Sequence, residues 1–154
     1  MPDCAKERAP LYLTLAEFDE ILHWKLGGQY ARQYKLCKVD TDDVIRTVTT
    51  AALSVAHADE DYETALRLGI LCALRGVGVP VVSAMPALIF PVNYSVTDFR
   101  GWRQVFGEER TTFSVSDYKR YLRKIRPLAR ELGWSVQEVD LAIRAYDRIT
   151  SRKS

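Results

Sequence analysis

The sequence predicts an all-α protein built as one compact multi-helix domain, and three observations carry that expectation. Apolar residues recur at near-helical spacing along most of the chain, as in Val44, Ile45, Val48, Ala52, Val55 and Ala56. Helix-start signals punctuate it: Thr14 to Glu17 and Ser135 to Glu138 both read as capping boxes. No stretch alternates polar and apolar residues for long enough to argue a sheet.

Taken in order, residues 1–13 are expected to form an N-terminal leader, with a short docked piece at Leu11, Tyr12 and Leu13. Residues 14–150 then make the single domain. The first helix starts at Thr14, carries Phe18, Ile21 and Leu22 on one face, and ends at Gly27 and Gly28. A polar segment with Tyr30, Tyr34 and Leu36 leads to Asp40, the expected cap of the helix carrying Val44 to Ala56. Ala58 to Asp61 breaks that helix and starts the next, apolar at Leu66, Leu68, Ile70, Leu71 and Leu74.

Gly76, Val77 and Gly78 then form a tight turn, whose glycines admit positive φ with no Cβ penalty. A second apolar helix follows, with Val81, Val82, Ala84, Met85, Leu88 and Ile89. Pro80 suits its first turn, where a missing N–H costs nothing, whereas Pro86 falls inside it and should kink it. Phe90 to Tyr94 connects to Ser95–Asp98 and a short helix with Trp102 and Val105. Ser116 opens a longer helix carrying Tyr118, Tyr121, Leu122, Ile125, Leu128 and Leu132, closed by Gly133. Val139, Ala142, Ile143 and Tyr146 give the last apolar stripe.

Composition bounds the function classes. With 154 residues, 47% hydrophobic and 27% charged, the chain is long enough for one real core and ordinary enough to be a soluble globular protein. A formal net charge of +2 conceals an asymmetry. Acids cluster at Asp40–Asp43 and Asp59–Glu63, whereas Lys119, Arg120, Arg123, Lys124, Arg126 and Arg130 run without an acid among them. Cys4, Cys37 and Cys72 are odd in number and widely spaced, which argues a reducing compartment over a disulfide framework. There is no apolar stretch of about eighteen residues and no signal-peptide core. A cytoplasmic protein without a membrane partner is expected. His23 and His57 stand alone, so no side-chain metal site is expected, and Trp24, Trp102 and Trp134 are expected to fill cores or grooves.

The informative stretch is Leu74 to Arg100. A turn of the Gly76-Val77-Gly78 kind leaves backbone N–H groups bare at the start of the next helix, where an anion such as a phosphate is favoured. Asp98 follows Gly76 by twenty-two residues and precedes Phe99 to Trp102, as a helix N-cap would.

The pattern Leu74, Gly76-Val77-Gly78, an apolar helix, then Val96 and Asp98 resembles the helix-hairpin-helix DNA glycosylase superfamily, which includes endonuclease III and 8-oxoguanine glycosylases. The likeness covers roughly residues 62–103, with a weaker all-helical likeness over most of the chain. It implies base-excision repair: a damaged or mispaired base is flipped from the duplex and its N-glycosidic bond is broken. Asp98 would be the catalytic carboxylate, stabilising the cationic sugar or activating water. Capping and catalysis can share one aspartate.

Bifunctional members carry a nucleophilic lysine where this chain has Pro80, so the resemblance implies a monofunctional hydrolase without lyase activity. Lys25 reads as a solvated lysine at a helix end. No cysteine follows Cys72, so the iron–sulfur cluster of many members is not expected. The family hairpin implies that Arg75, Gly76, Val77, Gly78 and Val79 hold DNA phosphates, with a Na⁺ or K⁺ ion on the hairpin carbonyls. Arg100, Lys119 and Arg123 would add backbone contacts, although the basic run reads equally well as a solvated helix face. Two other classes stay open: a non-catalytic helix-hairpin-helix DNA-binding protein, and a helical protein-interaction domain.

Overall fold

A computed structural model describes residues 5–151, and among these the chain is helical with no strand. Helix α1 spans Leu15–Leu26 and runs through a 3₁₀ turn, Gly27–Gln29, into α2, Tyr30–Cys37. Then come α3, Asp42–Leu53; α4, Glu60–Leu71; α5, Val79–Val82; and α6, Ala84–Ile89. The chain finishes with α7, Phe99–Phe106; α8, Val115–Leu132; and α9, Val136–Ser151.

The starts follow local chemistry. Thr14 and Glu17 close a full capping box on α1, and Ser135 and Glu138 bond each other's backbone N–H groups before α9. Asp59 caps α4. At α8 the box is Ser114 with Asp117, two residues earlier than the expected start at Ser116. At α3 the cap is Thr41. The expected cap, Asp40, is drawn inward and accepts the Arg75 N–H at 3.1 Å. The segment expected as a polar connection at Tyr30–Leu36 is helix α2, fixed by the packing of Cys37 and by the Tyr30 hydroxyl, which donates to Asp19. Positive φ at Gly107 and Gly133 ends α7 and α8 in left-handed caps.

The second apolar helix is two pieces, α5 and α6, broken at Ser83. Pro86 accounts for the position. It offers no N–H to the Val82 carbonyl four residues back, and its ring crowds that carbonyl. The kink therefore lies upstream of the proline that causes it.

Trp102, Tyr94, Tyr118, Tyr121, Phe18, Ile45, Leu68 and Leu71 are fully buried in one core. Burying each such side chain is worth about 1.5–3 kcal/mol before entropy is counted. Helix α9 lies along α7 and α8, and α4 lies between α3 and α8. Residues 5–13 are docked rather than loose: Ala5 is fully buried, Arg8 pairs with Glu17, and the Leu13 N–H donates to the Thr49 hydroxyl at 2.9 Å. Of the three tryptophans only Trp102 is core; Trp24 and Trp134 are 55% and 48% exposed. Among the described residues no helix is long and apolar enough to cross a membrane.

Candidate functional site

The hairpin between α4 and α5 is seated on the end of α2. Gly76 has φ +76°, and a Cβ there would fall 2.8 Å from Leu36 and 2.9 Å from the Cys37 nitrogen. Only glycine fits, for conformation and for space. Gly78 is extended, at φ −107° and ψ 178°, so only the first of the two glycines uses its left-handed freedom. The Gly76 carbonyl accepts from Gln33 Nε2 at 3.1 Å and from the Cys37 thiol at 3.4 Å. A cation on the hairpin would share that oxygen with both side chains. Gly78 and Val79 open α5, and their N–H groups donate to no protein acceptor among the described residues. The Arg75 side chain beside them is exposed.

Asp98 arrives at the end of a buried irregular segment. Tyr94, Ser95, Val96 and Thr97 are all buried; neighbouring side chains and backbone satisfy several of the loop's backbone groups, whereas the Ser95 and Thr97 hydroxyls have no hydrogen-bond partner among the described residues. Tyr118 Oη donates to the Ser95 carbonyl at 2.6 Å, the Thr97 N–H to Ser83 Oγ at 3.2 Å, and Arg126 Nε to the Asn93 carbonyl at 2.9 Å. The Val136 and Gln137 N–H groups donate to the Val92 and Pro91 carbonyls. One Asp98 oxygen then caps α7, accepting from Arg100 N at 3.1 Å and Gly101 N at 3.0 Å. The other stands 3.7 Å from an Arg100 nitrogen and 3.8 Å from an Arg144 nitrogen.

A polar cluster lies behind that carboxylate. Tyr121 Oη donates to Asp140 Oδ1 at 2.5 Å. Arg144 Nε stands 2.9 Å from Asp140 Oδ2 but off the angle of a hydrogen bond, so neither atom has a hydrogen-bond partner. Burial pushes the Asp140 carboxyl up to about 6, against the pull of Arg144 and the Tyr121 hydroxyl. Burial also raises Tyr121 well above its ordinary value. Lys25, read from the sequence as a solvated lysine, is half-buried here. Burial pushes its ammonium down, opposed first by the attraction of Asp98 and then by that of Asp140. Helices α1, α7, α8 and α9 thus bring two carboxylates, three cations and a phenol together.

Sequence reasoning missed Tyr121, Asp140 and Arg144 as members of this group. One signal was available: Asp140 interrupts the apolar positions Val136, Val139 and Ile143, with Arg144 one turn on.

The basic run on α8 is not a bare cationic stripe. Lys119 lies 3.3 Å from Asp61, and Arg123 grips the same carboxylate through two bonds of 3.0 and 2.6 Å. Arg130 holds Glu60, while Arg120 lies over the Trp102 and Phe106 rings. Arg126 is buried and reaches Asn93 and Thr64. Two of the expected DNA contacts, Lys119 and Arg123, thus share one carboxylate in the first turn of α4, Asp61. Exposed pairs of this kind are worth only about 0–1 kcal/mol, so a phosphate can compete for them. Arg100 is partly exposed and lies over the Phe99 ring.

A cavity of about 730 Å³ opens between α1, α2 and α3, and a groove of about 350 Å³ runs between α7, α8 and α9. Asp98 lines neither. Among the described residues no three His, Cys, Asp or Glu side chains are grouped to hold a metal ion. No family model matches the chain, and no curated protein or solved structure shows significant similarity to it.

Proposed function

We propose that the protein binds duplex DNA through the 75–79 hairpin and hydrolyses the N-glycosidic bond of a damaged or mispaired base, as a monofunctional base-excision enzyme. One observation carries the reading. Asp98, twenty-two residues beyond the hairpin glycine, is fixed through one oxygen by two α7 N–H groups, while its other oxygen makes no hydrogen bond among the described residues and stands 3.7 and 3.8 Å from Arg100 and Arg144 nitrogens. A carboxylate held in this way meets a developing sugar cation without reorganising. In the hydrolysis, a water oxygen bonds to C1′ as the C1′–N bond breaks. The water's proton passes to Asp98, and the base leaves with the bonding electron pair. The base must first be flipped from the stack. Pro80, where a hairpin nucleophile would stand, supports hydrolysis over lyase chemistry.

The test is a single-turnover assay on duplexes bearing uracil, hypoxanthine, 8-oxoguanine, alkylated purines or mismatches, with alkali added afterwards. Wild type is expected to give alkali-dependent cleavage of one substrate. Asp98→Asn, which keeps the cap, is expected to bind the same duplex and give none. Equal product from Asp98→Asn overturns the reading.

The second reading is a DNA-binding module without catalysis. Arg100 and Arg144, at 3.7 and 3.8 Å, favour it because they offset the charge that Asp98 would bring to a sugar cation. It predicts no product on any duplex, with binding that weakens log-linearly as salt rises.

A further inference from the structure

We infer that the cavity between α1, α2 and α3 is a binding site for a planar aromatic ring carrying a cationic amine or amidine. Its volume of about 730 Å³ falls in the range of small-molecule sites. Phe18, Leu22, Tyr30 and Tyr34 give it apolar and aromatic walls. Tyr30 is pinned, since its hydroxyl donates to Asp19 and its ring stacks on His23 at 3.5 Å between centroids. Tyr34 is 5.8 Å from Tyr30 and half-exposed, so the two rings suit a flat cation.

The charge selects the sign of the ligand. Of the acids lining the cavity, Asp42 is already taken by Arg46 at 2.6 Å and by the Leu15 N–H. Beyond that pair, Asp40 and Asp19, the latter accepting from the Tyr30 hydroxyl and lying 3.4 Å from His23 Nδ1, stand against one further exposed cation, Lys38. Asp40 is the decisive residue. It is only 4% exposed and lines the cavity, yet only its Oδ1 is used, by the Arg75 N–H. Its Oδ2 is buried and has no hydrogen-bond partner. An unsatisfied buried acceptor is destabilising, and an N–H donor on a ligand would relieve it once the Asp40 carboxylate turns toward the cavity. Burial also raises the Asp40 carboxyl above its ordinary range, as expected of an acid that lacks its counter-charge.

The experiment needs no DNA, so its outcome is independent of base excision. Benzamidine and its charge-reversed isostere benzoate are titrated into the full chain and followed by amide chemical shifts. Benzamidine is expected to give saturable shifts confined to residues 15–46, and benzoate none. Asp40→Asn keeps an acceptor for the Arg75 N–H and is expected to weaken benzamidine at least tenfold. Tyr34→Ala alters an exposed side chain and is expected to weaken it severalfold with the melting temperature unchanged. Benzoate binding as well as benzamidine, benzamidine binding indifferent to both variants, or no saturable shift would each overturn the inference.

Discussion

Gly101 and Tyr121 approach so closely that a Cβ on the glycine would fall 2.5 Å from the tyrosine hydroxyl. The same Cβ would lie 3.4 Å from Asp140 Oδ1. The missing side chain is what lets the Tyr121–Asp140 pair lie against the first turn of α7, beside Asp98.

Gly101→Ala should therefore destabilise the protein by about 1–3 kcal/mol, the usual cost of overpacking, despite the better helix propensity of alanine. Gly69, on an exposed face of α4 with nothing within 4 Å of its would-be Cβ, is the control. Gly69→Ala should stabilise by about 0.5–1 kcal/mol. Urea melts of both variants check the opposite signs.

Asp140 sets a pH dependence of unusual sign for a carboxylate. Its folded carboxyl holds a proton up to about 6, whereas the ordinary value is 3.8. Between those values the folded state binds more protons than the unfolded, so this residue's contribution to stability falls as pH rises and levels off above about 6. Each unit of upward shift is worth about 1.4 kcal/mol. The surrounding groups Tyr121, Arg144, Asp98 and Lys25 are accounted for by comparing wild type with Asp140→Asn across pH 4–7. Stability of the variant relative to wild type should increase over that interval; a constant difference would refute the assignment.

The cations of α8 should separate into two classes. Arg126→Ala strips hydrogen bonds from the Asn93 carbonyl and the Thr64 hydroxyl inside the core, and should cost about 2–4 kcal/mol. Arg123→Ala breaks an exposed, solvent-screened pair with Asp61 and should leave the denaturation midpoint almost unchanged. Chemical denaturation reads both.

Lys25 stands in the right neighbourhood for amine chemistry, and burial lowers its ammonium against the attraction of Asp98 and Asp140, but the proposed hydrolysis gives it no bond to C1′. Borohydride reduction in the presence of abasic DNA should accordingly leave no covalent adduct. An adduct formed by wild type and lost in Lys25→Ala would replace hydrolysis with a lyase mechanism that uses a lysine from α1.

How much of this was legible depended on the range of the forces involved. Thr14, Asp59, Gly133 and Ser135 act on backbone groups within one turn, and the sequence announces them. Pro86 declared a break but not its place, because the affected carbonyl belongs to Val82. Asp40 and Thr41 are both good caps, and the choice was made by Arg75, thirty-five residues away. The pairing of Lys119 and Arg123 with Asp61, across α4 and α8, depends on tertiary placement that no local pattern encodes. Lys25 is the clearest case. An amine at a helix end reads as solvated until α7 and α9 close over it.

The connection from Phe90 to Thr97 is irregular, exposed at Val92 and Asn93 but buried from Tyr94 to Thr97, and helices on several sides hold its carbonyls and amides. Proteases attack chain that can be drawn out into a cleft, which is governed by local opening rather than by the absence of helix. The first nick should fall in the exposed 107–112 loop, and the segment delivering Asp98 should survive among the last fragments. A carboxylate delivered by a segment held in this way keeps its aim.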